Sequence, residues 1–120
     1  MEKITRRAAL AAIPACGLAP IVPAMAEPVD PLVDLIAEYR RQMVDYDINC
    51  PDDSEGADAY AEVTFLPPMR RIENWSEPAR TAQGAREALR LALQESENFM
   101  SSDMTPPLLR SALAYLDGIA

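Results

Sequence analysis

The sequence predicts an all-α protein, a small antiparallel bundle of about four helices behind an N-terminal signal peptide. Three observations predict this. Apolar residues recur at spacings of three and four in four stretches, the period of a helix that buries one face. Each stretch opens on a residue suited to capping a helix start. No stretch alternates apolar and polar residues with period two, and no Asn-Gly hairpin signal occurs.

The leader comes first. Residues 1–7 are basic, with Lys3, Arg6 and Arg7 against Glu2. Residues 8–22 are apolar, and Ala24-Met25-Ala26 forms a small-x-small cleavage site followed by Glu27. That is the layout of a secretory signal peptide spanning residues 1–26. A membrane-spanning helix fits poorly, because the bilayer core needs about 20 strongly apolar residues. Here Pro14, Gly17, Pro20 and Pro23 interrupt an alanine-rich run, and proline breaks helix continuity.

The segment "TRRAAL", residues 5–10, resembles the twin-arginine export motif, with Thr5, Arg6, Arg7 and Leu10 at matching places. Ala9 and Ala11 stand where a bulkier apolar residue and a lysine are more usual, so the general secretory route stays open. So does an N-terminal helix that is not removed. "IPAC" followed by Gly17 loosely resembles a lipobox, which would make Cys16 a lipidated N-terminus. Otherwise Cys16 is a small apolar residue in a discarded leader.

Cleavage after Ala26 leaves a single domain, residues 27–120, of 94 residues with 18 acids and 8 bases. All eight bases are arginine, and neither lysine nor histidine remains. Such acidity argues against nucleic-acid binding, which needs cations to displace phosphate counterions, and against adsorption to anionic lipid. The expected partner is a neutral or basic protein or a second copy, with no stable membrane insertion after cleavage. Cys50 is then the only cysteine, so no intramolecular disulfide forms. It is an inert half-buried residue, a free thiol, or an intermolecular link.

The body follows in order. Asp30 and Pro31 start the first helix, over about residues 30–48, as N-cap and first helical residue. Leu32, Leu35, Ile36, Tyr39, Met43 and Tyr46 share its apolar face, with Asp34, Glu38, Arg41 and Asp45 opposite. Pro51 ends it, and Asp52, Asp53 or Ser54 caps the second. There Tyr60, Val63 and Leu66 are expected inward, with a break at Pro67-Pro68. Met69, Ile72 and Trp75 continue the apolar pattern beyond the break, and "SEPAR" makes a turn.

Thr81 caps the third helix, where Ala82, Ala85, Ala88, Leu89, Ala92, Leu93, Ser96, Phe99 and Met100 are expected to share the buried face. Gln83, Arg86, Glu87, Arg90, Gln94 and Glu97 lie opposite, and Gly84 suggests a closely approaching neighbour. Thr105 is expected to cap the last helix and Pro106 to begin it. Its apolar stripe runs through Leu108, Leu109, Ala112, Leu113, Tyr115, Leu116 and Ile119 and ends near Asp117-Gly118. "RRAAL", "DPLVDLIAEYRRQ" and "EPARTAQGAREALRLAL" together resemble small uncharacterised proteins of alphaproteobacteria, some from phage-derived regions. The resemblance implies a helical body and brings no activity with it.

The residue inventory limits the chemistry. Without histidine the usual neutral-pH acid–base group is missing, and so is any Ser-His-Asp or Cys-His nucleophile. Without lysine in the body, Schiff-base formation is excluded. Zinc or iron sites built on His or Cys clusters fail on count. Glu38 with Asp45, or Asp52 with Asp53, reads as a solvated helix face and a capping loop rather than a catalytic pair. An EF-hand register with Gly56 at the sixth place puts Asp53, Glu55 and Glu62 at places three, five and twelve. Pro51 then stands where an acid is needed. Arg40-Arg41 and Arg70-Arg71 read as local ion pairs, and Trp75 as core rather than an interface anchor.

No catalytic, cofactor or metal residue is therefore predicted. The expectation is an exported, non-catalytic helical interaction module, periplasmic or secreted, or cytoplasmic if the leader does not function. Its alternatives are an accessory subunit exported with a larger catalytic partner, or a phage-derived structural or accessory protein. The last stripe is wider than one neighbour covers, and Leu91 lies off the expected face of the third helix. Leu91, Leu108, Leu116 and Ile119 are accordingly the predicted interface.

Overall fold

The computed structural model describes residues 29–119. The export motif at Arg6, Arg7 and Leu10, the cleavage site at Ala24, Ala26 and Glu27, and Cys16 lie outside the described residues. Within them the chain is all-helical: α1 Pro31–Asn49, α2 Ser54–Val63, α3 Leu66–Glu73, α4 Ala82–Asn98 and α5 Thr105–Gly118.

Helix α1 starts as its residues dictate. Asp30 is extended, its carboxylate accepts the Leu32 N–H at 3.2 Å, and Pro31 takes the first helical position. Leu32, Leu35, Ile36 and Tyr39 are buried on one face. Asp53 caps α2 by accepting the Gly56 N–H at 2.7 Å. The interruption between α2 and α3 falls at Thr64 and Phe65, not at the prolines. Pro67 and Pro68 instead occupy the first turn of α3, where a missing N–H leaves nothing unsatisfied. Thr64 is buried, with its hydroxyl donating to the Tyr60 carbonyl at 2.7 Å. Val63, expected inward, is the last residue of α2 and is exposed.

Thr81 caps α4 through the Gly84 N–H at 2.9 Å. The six residues 99–104 then turn the chain back into α5, so α4 and α5 run antiparallel and pack together more extensively than any other pair. Helix α1 lies against α3 and α4, and α3 also touches α5. The core is one cluster: Leu32, Leu35, Ile36 and Tyr39 from α1, Ile72 from α3, a small-residue row with Leu91 from α4, and Met104, Leu108 and Ala112 around α5. Trp75 packs against it while its indole N–H donates to the Glu77 carbonyl at 2.9 Å.

The buried face of α4 is rotated from the expected one. It comprises Gly84, Ala85, Ala88, Leu91, Ala92 and Glu95, a stripe at spacings of three and four. Leu89, Leu93, Phe99 and Met100, expected inside, are exposed. Gly84 does mark a close approach, but of the α1 cap: a Cβ there would overlap the Asp30 carboxylate and lie 3.3 Å from the Ala79 Cβ.

Candidate interaction surface

The predicted interface residues divide between inside and outside. Leu91 is 2% exposed and Leu108 1% exposed. Both belong to the core, and this corrects their assignment to a contact surface. The reason lies in how α1 is placed. It covers the Leu91 side of α4, and the antiparallel return brings Leu108 against the α4 small-residue row. Leu116 and Ile119 are exposed, as are Leu109 and Leu113.

The exposed leucines form a pattern. Leu89 and Leu93 each follow a buried alanine by one residue, Ala88 and Ala92. Leu109 and Leu113 likewise follow buried Leu108 and Ala112, and Leu116 follows half-buried Tyr115. One residue further along a helix is a turn of about 100°. In two antiparallel helices facing each other, the same one-residue offset rotates both rows toward the same side of the pair. Leu89 and Leu93 of α4 and Leu109, Leu113 and Leu116 of α5 therefore share one face of the hairpin. Each is between 42 and 59% exposed.

A second feature is a groove of about 400 Å³ between α1 and α4, lined by Tyr39, Met43, Leu91, Glu95 and Phe99. It continues past Phe65 and Met69 toward the 99–104 turn. Glu95 is buried there and accepts the Ser102 hydroxyl at 2.7 Å. Burial, with Glu95 and Glu73 nearby outweighing Arg40, pushes the Tyr39 hydroxyl up to about 12. It is thus a neutral donor across the physiological range. The Glu95 carboxylate is thus tied to a serine and lies near a protonated phenol.

The acidic α1–α2 corner is structural. Tyr60 donates to the Asp45 carboxylate at 2.5 Å and Asn49 donates to the same oxygen at 2.8 Å. These bonds hold the Asp45 carboxyl below its ordinary value. Tyr46 stacks on Tyr60 and meets Phe65 edge-on. Half-buried Cys50 directs its thiol to the Pro51 carbonyl at 3.4 Å. Of the residues aligned to an EF-hand, Asp53 is used as a cap and Glu62 forms a two-pronged pair with Arg70 at 2.9 Å. Among the described residues no three His, Cys, Asp or Glu side chains gather as a metal-binding group.

Arg71 pairs with Glu38 at 3.4 Å, and Arg40 donates to Gln94 at 2.6 Å. Among the described residues no helix is long and apolar enough to cross a membrane.

The arrangement defines a small helical domain whose outstanding surface feature is an apolar face on α4 and α5. Comparison with protein-family models, curated proteins and solved structures finds no match for the chain.

Proposed function

We propose that the chain is an exported, non-catalytic interaction module that acts through the exposed leucine face of α4 and α5. The observation that carries this reading is the set of five half-exposed leucines on one side of one hairpin. Isolated exposed leucines need no explanation, whereas the largest contiguous apolar patch on a protein surface is often functional. The signal-peptide layout of residues 1–26 supports export. The absence of histidine and the tied-down state of Glu95 support a role without chemistry of its own.

Three measurements in the native host test it. Intact mass should give a chain that begins at Glu27. An uncleaved Met1 chain, or a lipidated Cys16, rejects the leader assignment. Replacing Arg6 and Arg7 by lysine separates the routes, since the twin-arginine route should fail and the general route persist. For the contact face, a photo-crosslinking residue at position 113 should give covalent protein adducts in the cell, and the same residue at Glu55 should not. No adduct at 113 above that control would reject the interaction reading.

A further inference from the structure

The leucine face of α4 and α5 points to a specific occupant, and we propose that it is a second copy of this chain, with two α4–α5 hairpins closing face to face into a four-helix bundle. This rests on the reading of that face as the contact surface.

Area is the first argument. The five leucines, at 42 to 59% exposure, leave on the order of 450 Å² of apolar surface per copy. A standard stable interface buries roughly 800 Å² per partner, of which about 56–65% is apolar. One hairpin face thus supplies the apolar core of one such interface.

Charge is the second argument. From Asp30 to Glu73 the chain holds eleven acids against four arginines, so two copies repel wherever those surfaces would meet. The outward charges of α4 and α5 are balanced: Arg86, Arg90 and Arg110 against Glu87, Glu97 and Asp117. Arg90 is moreover paired to Glu87 at 2.8 Å. The leucine face is therefore where two acidic molecules approach each other at least electrostatic cost.

Geometry is the third argument. The face is two antiparallel helices wide, and a two-fold axis parallel to them sets each α4 against the other copy's α5. Every neighbouring pair is then antiparallel, the arrangement of an up-down four-helix bundle. Burial of leucine rather than salt bridging drives the contact, so it persists at high salt.

The test uses the full chain alongside the chain beginning at Glu27, which contains every residue of the described core. Sedimentation at low micromolar concentration should give a dimer that survives molar salt. Leu93→Glu and Leu113→Glu replace exposed residues, so circular dichroism should stay helical while dimerisation weakens roughly 100-fold or more. Val63→Glu on α2, a still more exposed position, should leave the dimer intact. A folded monomer, or a dimer indifferent to Leu93→Glu and Leu113→Glu, overturns the proposal. A monomer whose position-113 crosslinks lead to a different protein overturns it while leaving the interaction reading in place. A monomer whose leucine face binds a hydrophobic dye only once the leader is removed assigns the face to residues 1–26 and overturns it as well.

Discussion

The Asp30 carboxylate joins two helix starts that lie some fifty residues apart. One oxygen accepts the Leu32 N–H, and the other accepts the Arg80 N–H, the Thr81 N–H and the Thr81 hydroxyl at 3.0, 3.0 and 2.8 Å. A buried carboxylate with four donors is stable where an unpaired one would not be. Asp30→Ala removes the α1 cap and orphans three further polar groups, and should cost about 3 kcal/mol. Chemical denaturation midpoints at neutral pH measure this, and a change under about 1 kcal/mol would mean the N-termini of α1 and α4 are not coupled through this side chain.

Tyr39 is the other informative residue. Its value in the fold, pushed up to about 12 chiefly by burial and then by Glu95, exceeds the ordinary 10. The fold therefore favours the protonated phenol. That contribution is complete below pH 10 and is lost as pH rises from 10 toward 12. In a tyrosinate absorbance titration Tyr39 should ionise near 12, together with loss of helicity. Tyr39→Phe keeps the ring buried and should remove the step near 12, while Tyr46 and Tyr60, also raised above the ordinary value, still titrate. Four tyrosines all ionising near 10 with the helices intact would contradict the burial of Tyr39.

At the scale of the element, α4 carries two competing apolar rows. Leu91 with the small residues Gly84, Ala85, Ala88 and Ala92 forms the inner one, and Leu89 with Leu93 the outer. Leu91→Ala opens a cavity and should cost about 3 kcal/mol, whereas Leu93→Ala, 59% exposed, should change monomer stability by under about 0.5 kcal/mol. Denaturation at concentrations below association separates the two. Equal costs would mean that α4 is rotated from the orientation described. Small residues won the inner position because α5 and the Asp30 cap approach closely there, as the overlap of a Cβ at Gly84 with Asp30 shows.

Across the whole molecule, charge is unevenly distributed. The excess of acids is greatest from Asp30 to Glu73, while the outward charges of helices α4 and α5 balance and that pair carries the exposed leucines. A chain of this size has a stability of about 0.05–0.15 kcal/mol per residue, so coverage of the leucine face is a substantial gain for the assembled form. The interaction reading and the dimer proposal both live at this scale, and neither depends on any reactive group.

Much of the fold was legible in the sequence because its signals are local. Asp30-Pro31, Asp53 and Thr81 start helices by hydrogen bonds within two to three residues, and a 3.6-residue period identifies a helix without reference to anything distant. The buried face of α1 could be read because it has a single apolar row. On α4 and α5 the apolar residues wrap more than one side, and sequence alone could not say which side α1 and the return helix would cover. That choice depends on contacts between residues far apart in the chain. It placed Leu91 and Leu108 inside and left Leu89, Leu93, Leu109, Leu113 and Leu116 outside. The sequence by itself determined where α1, α2 and α4 start, that the body is acidic and which chemistries lack their residues. Only the tertiary packing decided which leucines form the core and which are left to meet another molecule.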